Sequence, residues 1–206
     1  MPNFYVYAPV SGQVGSCWTG PVTCLPNHAG CGNVNTINTD GRYCGSTYSC
    51  GPCCHPRVSC SEPQDIKTGI STPSIDFVAD PVVGSIWVGL STGVCGPSSN
   101  CSTIPYTRIV NIHMFSGSMG SGTSLGVVTF AHVDSPLTSS YYNTFIGPGT
   151  GHAYRTIGSV PSGTCGSCYT GPHVHWEHCG NSIINSGISC GDTMIRSLSW
   201  VFQYTY

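Results

Sequence analysis

Fourteen cysteines in 206 residues constrain this chain more than any other feature. The count is even and far above ordinary usage, the mark of a disulfide framework formed in an oxidising compartment. Eight of them, from Cys17 to Cys60, lie among Gly, Asn, Pro and Ser with no helical period. Bridges there replace a core that the local sequence could not build. The pairing is not legible, although the adjacent Cys53 and Cys54 are expected to go to different partners. The CxxC pairs Cys50/Cys53 and Cys165/Cys168 are too isolated to outweigh disulfides as a metal signature. Met1-Pro2-Asn3-Phe4 opens with neither a basic nor a continuous apolar region, so no secretory leader is visible. The cysteines weigh more than the missing leader, and an extracellular or secreted location is expected.

Charge narrows the choice of partners. Only 7% of residues are charged, the net charge is −2 and Lys67 is the one lysine. Such a chain has no electrostatic footprint for nucleic acid or for an anionic membrane. The uncharged runs are broken by Gly, Ser, Pro and Cys, so no bilayer-spanning segment is expected. Low charge also removes the repulsion that keeps molecules apart, which leaves homo-assembly open.

Along the chain, Phe4-Tyr5-Val6-Tyr7 reads as extended and Pro9-Val10-Ser11-Gly12 as a turn. Strands are expected at 82–90, 108–114, 125–133, 154–160 and 172–177, each bounded by Gly, Pro or Ser. Repeated short strands with almost no helical pattern predict a mainly β fold. Strict alternation over 125–133 would put Val128, Phe130 and His132 on one face. His113 is expected at the surface, and His28, His55 and His152 on loops. Trp200, Phe202, Tyr204 and Tyr206 recur at period two, as in a terminal strand that would favour assembly if left unpaired. Asn100-Cys101-Ser102 is a formal glycosylation sequon.

His173-Val174-His175-Trp176-Glu177 also has period-two polarity. In a strand, His173, His175 and Glu177 take one face and Val174 and Trp176 the other, with the two imidazoles about 7 Å apart. That spacing suits one metal ligand beside one acid/base group. An exposed strand with two surface histidines is the simpler reading of HxH alone.

Several motifs in order resemble the lysostaphin or LytM type of zinc endopeptidase, which cuts peptidoglycan peptides. Phe130-Ala131-His132-Val133 is similar to that family's Y-A-H-L, the run from Ile157-Gly158 to Gly163 to its I-G-x-x-G-x-T-G, and the stretch from Thr170 to Glu177 to T-G-P-H-L-H-F-E. Ser74-Ile75-Asp76-Phe77 resembles G-x-D-F. Thr23-Cys24, the stretch from His28 to Gly32, and Cys179 resemble the animal leukocyte cell-derived chemotaxin branch, a secreted and non-catalytic group. The resemblance implies an antiparallel sheet forming a groove, with a disulfide-rich, loop-rich N-terminal region. It implies a cysteine-rich extension over 1–65, a core over 66–180 and a disulfide-linked tail strand over 181–206. Asp76 and His175 would then be zinc ligands, with His132 and His173 catalytic.

One position departs from the family. Thr72 stands where the first histidine of HxxxD belongs, and a hydroxyl is a poor zinc ligand. The register Lys67-Thr68-Gly69-Ile70-Ser71 resembles H-T-G-I-D but lacks both ligands. A replacement would have to come from His28, His55, His152 or His178. Two readings follow: a secreted, non-catalytic domain that binds peptide, peptidoglycan or glycan in its groove or assembles with itself, and an active zinc endopeptidase with a substitute third ligand. The missing ligand, low charge and cysteine density favour the first.

Overall fold

The structure is a computed structural model that describes residues 3–16, 64–81, 86–94, 103–106, 108–117, 122–136, 144–146, 153–165, 169, 171–180, 182–184, 191–196 and 198–205. The cysteine-rich stretch 17–60, His28, His55, His152, the Asn100 sequon and the side chains of Glu177 and His178 lie outside them. The described residues are all β, with no helix, and every strand pairing is antiparallel. No helix among them is long and apolar enough to cross a membrane.

In chain order the strands are β1 (Asn3–Tyr7), β2 (Gly12–Ser16), β3 (Gln64–Lys67), β4 (Ser74–Pro81), β5 (Ile86–Val94), β6 (Arg108–Phe115) and β7 (Ser124–Ala131). They continue with β8 (Thr144–Ile146), β9 (Ala153–Ser159), β10 (His173–Gly180), β11 (Ser182–Ile184), β12 (Thr193–Met194) and β13 (Trp200–Thr205). A five-stranded sheet runs β11-β13-β1-β4-β9, and an eight-stranded sheet runs β12-β2-β3-β10-β7-β6-β5-β8. Strands from 1–65, 66–180 and 181–206 all take part. The terminal strand β13 is paired on both sides, by β11 and β1. It is therefore not the sticky edge that its aromatic period suggested, because its backbone groups are already used in ladders.

One apolar core is shared by the two sheets. Phe4 and Val6 of β1 and Ile75, Phe77 and Ala79 of β4 enter it from the smaller sheet. Val110, Ile112 and Met114 of β6, Val128 and Phe130 of β7, and Val174 and Trp176 of β10 enter it from the larger one. Each set is spaced by two, as a pleated strand with one face inward requires. The opposite face of β6 is also buried, with Ile109, Asn111, His113 and Phe115 all within it. His113 is thus not a surface residue: it is 6% exposed, because β6 lies between β5 and β7 and its second face is covered as well. On that face Thr129 Oγ1 donates to Asn111 Oδ1 at 2.8 Å, so a buried hydroxyl and amide satisfy each other.

The two sheets are joined close to the motifs singled out above. After β1, Pro9 O accepts from Asp76 N at 3.0 Å, and three residues later Gly12 has crossed to the larger sheet. There a Cβ on Gly12 would collide with Lys67 O, so the corner needs glycine. On the other side, Asp134 and Ser159 exchange backbone hydrogen bonds at 2.8 and 2.9 Å, which ties the chain just beyond β7 to β9. A Cβ on Gly158 would strike Val133 Cγ1 and stand 2.7 Å from Asp134 O. Gly158→Ala is therefore expected to force the two segments apart and to lower stability by about 1–3 kcal/mol, read as a shift of the urea midpoint at unchanged slope.

Candidate functional site

Local backbone conformation, more than strand alternation, assembles the histidines. β7 ends at Ala131, and His132 follows with φ of 61°, in the left-handed region. Non-glycine residues seldom adopt that region, although histidine is among the side chains that tolerate it better. His132 thereby leaves the alternation that would have continued Val128 and Phe130 into the core. Its ring instead meets His173, with centroids 4.9 Å apart and planes at 71°. Alternation in β10 holds as expected: Val174 and Trp176 are core residues, and His173 and His175 take the other face. Trp176 stacks on Phe130 at 5.9 Å, which fixes the strand from its core side.

Both members of the histidine pair are tied down through Nδ1. His132 Nδ1 lies 2.6 Å from Tyr106 O, and His173 Nδ1 lies 2.8 Å from Gly171 O. A carbonyl oxygen only accepts, so each Nδ1 carries the hydrogen and each neutral ring keeps its lone pair on Nε2. Such anchoring is the usual way a protein orients an imidazole for a ligand or a proton.

Tyr169 wedges the pair from behind. It is fully buried, stacked on His173 at 4.6 Å, edge-on to His132 at 5.1 Å and tilted against Tyr106 at 4.9 Å. Its hydroxyl donates to Pro161 O at 2.7 Å and accepts from His173 N at 3.3 Å. Burial pushes its phenol up to about 12; the His173 amide pulls it down and Tyr106 pushes it further up. Tyr106 OH in turn donates to Ser162 O at 2.7 Å. The 159–162 run is therefore a strut that seats both tyrosines and also reaches the residue just before β4, where Val160 N donates to Pro73 O at 2.9 Å. The surrounding stretch from Ile157-Gly158 to Gly163 stands out in the sequence by its resemblance to the family motif, with no sign that Tyr106 and Tyr169 back the histidines.

Asp76 is placed by an irregularity. The β4/β9 register slips between Ile75 and Asp76, so Ile75 faces Gly158 while Asp76 faces Thr156. Bulges re-aim side chains in this way. Thr156 Oγ1 donates to Asp76 Oδ1 at 2.9 Å, and Arg196 Nη1 stands 3.4 Å from Asp76 Oδ2. The carboxylate is 5% exposed and the guanidinium 46%.

Asp76 lies on the smaller sheet and His175 on the larger, and both are buried. Among the described residues, no three His, Cys, Asp or Glu side chains form a group that could hold a metal ion. Thr72 is exposed. The 67–71 register is a tight turn: Thr68 Oγ1 donates to Ser71 O at 2.7 Å and Ser71 Oγ to Thr68 O at 2.8 Å. Thr68 N clips that turn to Pro172 O at 3.0 Å, next to His173.

Comparison with protein-family models, with curated proteins and with solved structures finds no match to this chain.

Proposed function

We propose that the chain is a secreted, disulfide-stabilised domain of the lysostaphin or LytM type, non-catalytic, which binds peptidoglycan-like peptide or glycan through the His132/His173 site. The observation that carries this reading is the state of Asp76. Its two carboxylate oxygens are engaged by the Thr156 hydroxyl and the Arg196 guanidinium. A fixed positive charge stands where a cation would have to bind, and Thr72 supplies no imidazole. These residues do not fit zinc. The anchored imidazoles retain a use without metal, since two rings oriented by backbone carbonyls beside the partly exposed Tyr106 suit the polar groups of a peptide or sugar.

The reading is tested by co-sedimenting the full, oxidised chain with insoluble peptidoglycan. Wild type is expected to bind without releasing soluble peptides, and His173→Ala to weaken binding at least about tenfold, a loss of roughly 1.4 kcal/mol. Background-level binding by the folded wild type would sink it. The alternative is an active zinc endopeptidase with a replacement third ligand from outside the described residues, favoured by the Nδ1-anchored rings, which are oriented as catalytic imidazoles are. Release of peptides by wild type, abolished by His132→Ala, would establish it.

A further inference from the structure

We propose that the outward face of the smaller sheet binds a primary ammonium group, the end of a lysine-type side chain in a peptide partner, at Asp80 and the rings of Tyr5, Tyr7 and Trp200. This surface belongs to β1, β4 and β13, whereas His132 and His173 belong to the larger sheet, and it does not rest on the function proposed for that site.

The cluster follows from strand pairing. In β1, Phe4 and Val6 enter the core, so Tyr5 and Tyr7 take the other face, where both are partly exposed. Tyr5 is flanked across the ladder on either side, by Gln203 of β13 and by Asp80 of β4, and these too are partly exposed. Directly opposed residues share a face and stand close enough to interact. Trp200 joins them through an irregularity. The β1/β13 register slips between Val6 and Tyr7, so that Trp200 instead of Val201 stands opposite Tyr7. Its ring meets Tyr5 with centroids 5.3 Å apart and planes at 65°, and it stays partly exposed. Two of the aromatic residues thus come from one end of the chain and the third from the other.

The charges choose the ligand. Arg196 is committed to Asp76, and Lys67 and Arg108 belong to strands of the larger sheet, so none of these three cations neutralises Asp80. The field of Asp80 is felt at the rings: burial pushes the Tyr7 phenol up, and Asp80 and Tyr5 push it further the same way. A carboxylate beside aromatic rings is complementary to a cation, which gains from both the charge and the ring faces, and it repels an anion. An ammonium offers three hydrogen-bond donors and no acceptor, which matches a carboxylate, the amide oxygen of Gln203 and the phenol oxygens. A neutral sugar could use the rings but would draw nothing from the charge.

The experiment is isothermal titration of the full, oxidised chain with three probes: Nα-acetyl-lysine methylamide, the same compound acetylated on Nε, and chitotriose as a neutral sugar. Wild type, Asp80→Asn and Trp200→Ala are compared, with near-UV circular dichroism showing that each keeps its fold. Wild type is expected to bind the lysine probe saturably and to bind the Nε-acetylated probe and chitotriose at least tenfold more weakly. Asp80→Asn should weaken the lysine probe at least tenfold and leave the acetylated probe unchanged. Trp200→Ala should weaken the lysine probe about two- to fivefold, the worth of one exposed cation–ring contact. Absence of saturable binding by wild type, equal affinity for the charged and acetylated probes, preference for chitotriose, or an unchanged Asp80→Asn each overturns the proposal. So does a wild-type dimer in sedimentation velocity that Trp200→Ala dissociates, which would make a second copy the occupant of this face. None of these readouts uses the His132/His173 site, so either proposal can fail while the other stands.

Discussion

Replacing Trp176 with alanine is expected to lower stability by about 3–5 kcal/mol, the usual cost of deleting a buried aromatic side chain. The indole is fully buried, lies in the core shared by both sheets and stacks on Phe130. It also has a consequence beyond the core, because it is the inward anchor of the strand whose outward positions are His173 and His175. Chemical denaturation reads the loss. If the protein retains its fold, peptidoglycan binding should fall as well, since neither histidine is altered but the strand that aims them is no longer held. A loss below about 1 kcal/mol would mean that the core closes over the gap and that Trp176 does not set the strand.

Tyr169 should show the second large effect, and it can be divided. Tyr169→Ala removes a buried ring that touches His132, His173 and Tyr106 and should cost roughly 3–5 kcal/mol. Tyr169→Phe keeps the ring and loses only the hydroxyl, leaving Pro161 O without its donor, for about 1–3 kcal/mol. The phenol also makes stability depend on pH in a definite direction. Its folded value, about 12, lies above the 10.0 of an unperturbed tyrosine, so the unfolded chain gives up this proton first. The contribution is whole below pH 10 and is lost as pH rises through 12, amounting to roughly 2 kcal/mol at that point. Urea midpoints of wild type and Tyr169→Phe between pH 9 and 12 check it. The wild-type midpoint should fall more steeply than that of the variant, and parallel slopes would mean that Tyr169 ionises as freely as an exposed residue.

These two residues differ in how far the sequence revealed them. Trp176 was placed by alternation alone, as were the opposite faces of His173 and Val174, because the period of two is a property of the extended backbone and needs no tertiary partner. The same rule predicted a mainly β chain and located most of the strands to within a few residues. It failed at His132, where one residue in the left-handed region rotates the side chain out of the series. It also misplaced His113, since alternation separates two faces of a strand without saying whether the second face is covered.

What the sequence determined by itself is therefore local: extended segments, their inward and outward residues, the glycine corners, and a low charge. Tertiary structure decided what each polar side chain meets. That Arg196, 120 residues beyond Asp76, stands beside its carboxylate follows from the pairing of β12 with β2 and the anchoring of the next turn on Ser11. That Tyr106 and Tyr169 support two histidines follows from the 159–162 strut. Ion pairs and ring contacts of this kind depend on distances of a few ångströms between residues far apart in the chain. No periodicity records such distances, and only the closed pair of sheets fixes them.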